Sequence, residues 1–496
     1  AHSSTSISAA LGMAVAARQK GEQRHAVAII GDGAMTAGMA FEGLLHAGHL
    51  GANMLVIVND NERSYSPTIG GVATYLSTLR TTSGYEKFLD WGKNVLERTP
   101  VVGQPIYETL HGVKKGIKDI VAPQGMFEDL GLKYLGPIDG HKISDLEEAL
   151  KRAKNFHGPV IIHVITEKGR GYQPALEDEA ERFHAVGIVN PETGMPVKKG
   201  GTSWTKVFGE ELVEIGKTNS KIVAITAAMM GPTGLSKFQA NFPERTIDVG
   251  IAEQHALTSA AGLAYAGMHP VVAVYSTFLN RAFDQLLLDV AMHKAGVTLV
   301  LDRAGVTGDD GPSHHGIWDL ALGGIVPTLQ IAAPRDSHTL REELREAVAV
   351  NDAPTLIRFP KGEAIESVPA VRRQDGMDIL LEGSNELLII SVGAMAKLAV
   401  DAAKLIGATV VDPRWVKPIN PALVAMAQNF ENVLVIEDGI KHGGIASTLA
   451  EHGVKAESIG VPLEFIEHSK RDEILNDLGI NAQTIAARMQ HLVRGI

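Results

Sequence analysis

Gly31-Asp32-Gly33-Ala34 and Asn59-Asp60-Asn61 each follow a short apolar run, and together they offer a carboxylate and an amide oxygen from consecutive segments. A magnesium ion held with a diphosphate needs about one or two carboxylates from protein, with phosphate and water oxygens completing the shell. The flanking glycines let backbone come close to phosphates, and a helix that starts after such a loop favours anions. Either loop alone reads equally well as a turn. Two of them on successive apolar runs favour metal and phosphate. A third carboxylate, Glu253 in Asp248-Val249-Gly250-Ile251-Ala252-Glu253-Gln254-His255, opens an apolar helical pattern, where negative charge suits the helix dipole. With apolar neighbours on both sides, burial would raise its pKa and let it share a proton with a heterocycle nitrogen. Spacing alone leaves open a plain first-turn glutamate facing solvent.

The elements that must position these groups alternate. Ala26–Ile30 and Met54–Val58 read as buried parallel strands, with a helical pattern from Thr36 to His46 between them. Both polar loops then lie at strand C-terminal ends, where open α/β sheets bind ligands. Residues 62–125 read as an irregular excursion, and Val160–Thr166 as a further strand. Val186–Thr202 is rich in Gly, Pro, Lys and Thr and reads as a linker. A second block has strands at Ile222–Thr226, Val271–Tyr275, Thr298–Leu301 and Thr355–Phe359, with helices at Glu253–Ala266 and Leu279–His293. Residues 365–383 read as a second linker. A last block alternates Leu387–Val392, Ala394–Ile406 and Thr409–Val411. The expectation is three consecutive α/β domains with mainly parallel sheets: 1–198, 199–365 and 384–496.

Bulk composition bounds the function. A chain of 496 residues exceeds one core, and 45% hydrophobic with 21% charged residues is ordinary for a globular protein. A net charge of −11 argues against nucleic acid or an anionic membrane as partner. No apolar run reaches the ~18 residues of a membrane span. With no cysteine, disulfides, thiolate metal sites and cysteine nucleophiles are excluded, and a cytoplasmic location is the fitting expectation.

Gly-Asp-Gly followed by Asn61, and the Glu of Ile-Ala-Glu-Gln-His, resemble the signature of thiamine-diphosphate enzymes of the transketolase type. Gly136-Pro-Ile-Asp-Gly140-His141, Tyr275-Ser-Thr-Phe-Leu-Asn-Arg281-Ala-Phe-Asp284, Asp302-Arg303-Ala-Gly and Asp310-Gly311-Pro-Ser-His314-His315-Gly316 narrow this to the 1-deoxy-D-xylulose-5-phosphate synthase family, along essentially the whole chain. The resemblance implies a transketolase-like fold, thiamine diphosphate and Mg²⁺ as cofactors, and a homodimer with the cofactor held within one chain. It implies that Asp32, Asn61 and the main-chain carbonyl of Arg63 bind the metal. His2, Ser3, Gly33, Ala34, Tyr172 and Phe278 would line the cofactor, and Glu253 would activate it by protonating the aminopyrimidine. Pyruvate would be decarboxylated to a cofactor-bound enamine that adds to D-glyceraldehyde 3-phosphate, giving 1-deoxy-D-xylulose 5-phosphate for isoprenoid, thiamine and pyridoxal synthesis. Tyr275, Arg281, Arg303 and Lys361 would hold substrate phosphate and carboxylate, with His184, Asp310 and His314 as hydrogen-bonding and proton-transfer candidates.

An acidic protein that holds a phosphorylated triose needs arginines for bidentate recognition, and Arg281 and Arg303 both follow strand ends. Read without the family, His141 and His184 are bland loop histidines, and His314-His315 is as much a polar loop as a site. Members commonly carry Arg where this chain has Lys361, which keeps charge but loses the guanidinium fork. His315 stands where an amide is frequent. The resemblance also implies a stretch before Ala1 carrying further site histidines, so weak or no turnover is expected of the chain alone. The alternatives are a transketolase, a 2-keto acid dehydrogenase component, or a non-catalytic homologue that only binds thiamine diphosphate. Intact Asp32, Asn61 and Glu253 weigh against the last.

Overall fold

The computed structural model describes residues 3–81, 125–179, 181–184, 186–197 and 201–494. His2 and most of the 62–125 stretch lie outside them. The chain divides into two compact units, residues 1–197 with 250–252, and 198–249 with 253–496.

The first unit is built on one parallel sheet. Its strands are β1 (Ala26–Gly31), β2 (Met54–Asp60), β3 (Lys133–Asp139) and β4 (Val160–Ile165), in the order β1-β2-β4-β3. β1 and β2 pair in parallel with Gly31 opposite Asn59, so the two polar loops leave the sheet side by side. β2 alternates buried and half-buried residues, whereas β4 is buried at five successive positions, although both are interior strands of the sheet. The helix Gly38–Leu50 buries Ala40, Leu44 and Ala47 against the sheet and ends on Gly51 in the left-handed conformation.

The second unit contains two sheets. β5 (Ile222–Thr226), β6 (Thr246–Asp248), β7 (His269–Tyr275), β8 (Thr298–Asp302), β9 (Gln330–Ala332) and β10 (Thr355–Arg358) form one. The other holds β11 (Arg372–Gln374), β12 (Met377–Leu381), β13 (Ser384–Ser391), β14 (Ala408–Asp412), β16 (Asn432–Ile440) and β17 (Ala456–Val461). β5, β7, β8, β10 and β14 are buried along their whole length, which accounts for the apolar runs at their centres. β15 (Trp415–Lys417) leaves the later sheet and pairs antiparallel with β9, giving the order β15-β9-β10-β8-β7-β5-β6. Buried ion pairs join the two sheets further. Arg335 Nη1 meets Asp378 at 2.7 Å and Asp412 at 2.8 Å, and Arg358 meets Asp319 and Asp438, each at 2.8 Å.

Apart from β11–β12, β12–β14 and β15–β9, the pairings are parallel, as the alternating pattern predicts. Two elements differ from expectation. The helix expected over Leu279–His293 is instead a 3₁₀ stretch, Ser276–Ala282, a short α turn and a π stretch, Leu286–Ala291. The tight first part brings Phe278 onto Tyr275 and Arg281 onto Glu253, irregular winding of the kind found at functional sites. The 365–383 linker contains the β11–β12 hairpin.

Candidate cofactor and substrate sites

In the first unit the parallel register of β1 and β2 is converted into a direct contact. Asp32, 2% exposed, accepts the Asn61 backbone N–H on Oδ1 at 3.3 Å and the Thr68 hydroxyl on Oδ2. The Asn61 side-chain oxygen accepts the Arg63 N–H at 3.1 Å, closing a turn at the corner where the Asn61 backbone meets Asp32. Burial pushes the Asp32 carboxyl up, opposed by its Thr68 and Asn61 hydrogen bonds. A Cβ on Gly33 would stand 3.2 Å from the Ser64 Cβ, so glycine keeps this corner open.

The donor set fits a hard cation bound with a diphosphate. Among the described residues no three His, Cys, Asp or Glu side chains form a metal-holding group. A cation here must draw on one carboxylate, one amide, backbone and non-protein oxygens, which suits Mg²⁺ rather than a soft metal. Ala34 is half-buried in the turn after Asp32, and Ser3 precedes the helix Ser6–Lys20. The Tyr172 hydroxyl donates to the Pro191 carbonyl at 2.9 Å, and its ring meets the Phe183 edge. These contacts fix Tyr172 in its own loop.

His184 lies on the exposed side, packed on Tyr65 with ring centroids 4.0 Å apart. Its Nδ1 accepts from Lys168 Nζ at 2.8 Å, and Lys168 also donates to the Ser64 carbonyl at 2.6 Å. Desolvation and the Lys168 charge push the imidazole down to about 4, so it is a neutral hydrogen-bonding group with Nε2 as its donor. His141 accepts the Glu167 N–H at 2.9 Å and braces its loop.

In the second unit the predicted residues gather around the ends of β7 and β8. Glu253 opens the helix Glu253–Tyr265 and is 3% exposed, so the solvent-facing alternative does not hold. Its Oε2 is buried without a hydrogen-bond partner, and the nearest opposite charge is Arg281 Nε at 3.5 Å. Burial pushes this carboxyl up, and Arg281 only partly counters it. An orphaned carboxyl oxygen facing a cation is a fitting acceptor for a ring nitrogen that carries a proton.

Phe278 stacks on Tyr275 at 5.8 Å and makes an edge-to-face contact with the His314 ring at 5.6 Å. The Arg303 guanidinium lies 3.9 Å from the Tyr275 ring centroid, a cation–π contact. Asp310 spans Arg303 at 3.4 Å and Lys361 at 2.9 Å. Arg303 has φ +63°, a left-handed backbone that turns its side chain directly off β8. His314 hydrogen-bonds Ser313 at 2.8 Å, and burial lowers its imidazole. His315 is buried, and its Nδ1 accepts the Thr307 N–H at 3.0 Å, the bond an amide oxygen would accept in its place.

Sequence reasoning passed over Thr68, Lys168 and the acids behind the loops. Thr68 lies in an irregular stretch with no pattern to mark it. Lys168, in Lys-Gly-Arg-Gly, carried a local signal as a cation just past a strand end.

Comparison with known proteins now decides the family. A family model described as 1-deoxy-D-xylulose-5-phosphate synthase matches residues 1–166. Models of the transketolase pyrimidine-binding and C-terminal domains match 201–365 and 377–485. The chain is 56% identical to the 1-deoxy-D-xylulose-5-phosphate synthase of Streptomyces griseus, over 99% of this chain and 80% of that one. The chain belongs to the 1-deoxy-D-xylulose-5-phosphate synthase family. The Paenarthrobacter aurescens protein of the same name is 54% identical over 98% of this chain and 78% of its own. Membership makes the chain an enzyme, a thiamine-diphosphate-dependent transferase.

Among solved structures, transketolase from Campylobacter jejuni superimposes with a TM-score of 0.53 at 16% identity, covering 98% of this chain and 82% of that one. Transketolase from Leishmania mexicana gives 0.53 at 17%, covering 99% and 79%. At such identity the likeness establishes a transketolase-like fold. No helix among the described residues is long and apolar enough to cross a membrane.

Proposed function

We propose that this chain catalyses the decarboxylative condensation of pyruvate with D-glyceraldehyde 3-phosphate, releasing CO₂ and forming 1-deoxy-D-xylulose 5-phosphate. The observation that carries the reading is Glu253, buried at a helix start with one oxygen lacking a hydrogen bond. Thiamine diphosphate, when bound, supplies the electron sink for the carbanion left by decarboxylation. Glu253 holds and returns a proton at the aminopyrimidine N1′ nitrogen. Asp32, Asn61 and the Arg63 carbonyl hold Mg²⁺, while Gly33, Ala34 and Ser3 approach the diphosphate. Phe278 offers an apolar ring to the cofactor. Arg303 and Lys361, joined through Asp310, bind the acceptor phosphate together with Tyr275 and Arg281. His314, and His184 as a neutral donor, orient substrate oxygens by hydrogen bonds. Residues 1–198 carry the diphosphate and metal groups, 199–365 the aminopyrimidine-facing glutamate, and 384–496 a C-terminal domain. A cytoplasmic homodimer completes the proposal.

Glu253→Gln tests it. Calorimetry should find thiamine diphosphate with Mg²⁺ still bound, while pyruvate-dependent CO₂ release stimulated by D-glyceraldehyde 3-phosphate collapses. Activity kept within about tenfold, or roughly 1.4 kcal/mol of barrier, would remove the role assigned to Glu253.

A further inference from the structure

Asp60, the last residue of β2, belongs to the second loop and directly precedes Asn61. It is 2% exposed. His163 on β4 donates from Nε2 to its Oδ2 at 2.8 Å. Arg80, at the end of the helix Gly71–Thr81, donates from Nε to Oδ2 at 3.1 Å and from Nη2 to Oδ1 at 2.9 Å. The other ring nitrogen, Nδ1, lies 2.8 Å from the Tyr134 hydroxyl on β3. His163 is 0% exposed and Tyr134 4%, so the chain of bonds is dry.

The far end of this chain is a backbone bond. The Glu62 N–H donates to Asp60 Oδ1 at 3.3 Å, and Glu62 has φ +64°, a conformation uncommon for a side-chain-bearing residue. Arg80 also reaches the Asp60 carbonyl at 3.1 Å and the Glu62 carboxylate at 2.6 Å. Asn61 lies between the two anchored residues. Its backbone N–H meets Asp32, and its amide oxygen is set by the turn.

We propose that Tyr134, His163, Asp60 and Arg80 form a positioning relay that holds the Asn61 turn in its metal-ligating shape. None of the four is a ligand. They act through the turn, as outer-shell groups orient the ligands of other metal sites. The inference rests on the reading of Asp32 and Asn61 as Mg²⁺ ligands.

The test is calorimetric titration of thiamine diphosphate at varied MgCl₂ into the protein that carries this chain, for wild type, Tyr134→Phe, His163→Leu, His163→Gln and Asn61→Ala. Tyr134→Phe and His163→Leu are expected to raise the Mg²⁺ needed for half-maximal cofactor binding by about 10- to 100-fold. His163→Gln, which keeps an N–H within reach of Asp60, should recover most of that loss. Turnover of the Tyr134 and His163 variants should rise toward wild type as Mg²⁺ approaches saturation. The relay is overturned if the Phe and Leu variants only lower the unfolding temperature of the cofactor-free protein with an unchanged Mg²⁺ requirement. Should His163→Leu fail to fold, the isosteric Tyr134→Phe decides alone. An Asn61→Ala variant that binds like wild type would instead refute the underlying metal site.

Discussion

Glu253 and Asp60 are both buried carboxylates, and their surroundings drive them in opposite directions. Asp60 accepts from His163, twice from Arg80 and from a backbone N–H, and these hydrogen bonds hold its carboxyl below the usual range despite burial. Glu253 has one cation at 3.5 Å and an oxygen with no hydrogen bond, so burial wins and its carboxyl rises. An acid that must take and give a proton needs the second environment, and one that must stay charged and rigid needs the first. The same reasoning separates Arg303 from Lys361. The Arg303 guanidinium lies over the Tyr275 ring, 3.9 Å from its centroid, a contact a shorter-reaching point charge such as an ammonium makes less well. Arg303→Lys is therefore expected to raise KM for D-glyceraldehyde 3-phosphate by about tenfold, roughly 1.4 kcal/mol, and to leave KM for pyruvate near its original value. Steady-state kinetics with each substrate varied in turn decides this, and equal rises in both constants would place Arg303 elsewhere. Residue types at strand ends made Asp32, Asn61, Arg281 and Arg303 readable from sequence. Burial of Glu253 was left open by its apolar neighbours and the Asp60–His163 contact was not readable, because each depends on partners distant along the chain, 103 residues in the second case.

At the scale of elements, continuous apolar runs such as Ile222–Thr226 and Thr298–Leu301 were legible because a strand buried on both faces has no polar position to disguise it. β16 was missed since its run is broken by Glu437-Asp438, acids that are buried nonetheless. β11 and β12 were read as linker because residues 365–383 are polar and punctuated by Pro and Gly, and all three β11 residues are indeed exposed. The signal was present in Asp375-Gly376, where both residues have positive φ, 50° and 82°, the two-residue hairpin turn that such a pair favours. Glycines also set how elements approach. In the helix Gly38–Leu50, a Cβ on Gly48 would lie 1.8 Å from the Leu130 carbonyl oxygen. Helix propensity alone favours alanine there by about 1 kcal/mol. Backbone cannot yield as a side-chain tip does, so Gly48→Ala should destabilise by ~1–3 kcal/mol. Denaturant unfolding of the cofactor-free protein reads the sign, and a more stable variant would show that the helix can move away from this loop.

Across the whole molecule, the two sheets of the second unit are joined by charge as well as by β15. Arg358, with Asp319 and Asp438, is buried between the end of β10 and β16. Glu437 lies beside them, 0% exposed. Its Oε2 accepts the Ile445 N–H at 3.4 Å, while Oε1 has no hydrogen-bond partner. Burial pushes this carboxyl up to about 8; the Ile445 bond and the Arg358 charge oppose that, and the Asp438 and Asp319 charges reinforce it. The consequence for stability has a definite sign. In the unfolded chain the group ionises near 4.5, so between there and about pH 8 the folded state binds one more proton than the unfolded state. Stability must then fall as pH rises through that window, by at most about 1.4 kcal/mol per pH unit, and level off above it. Glu437→Gln removes the titration while keeping the side chain's size. The unfolding temperature of the variant minus that of wild type should therefore increase steadily from about pH 5 to about pH 8. A difference that stays flat across that range would mean that Glu437 ionises as an ordinary carboxylate, and that Arg358 neutralises three acids rather than two.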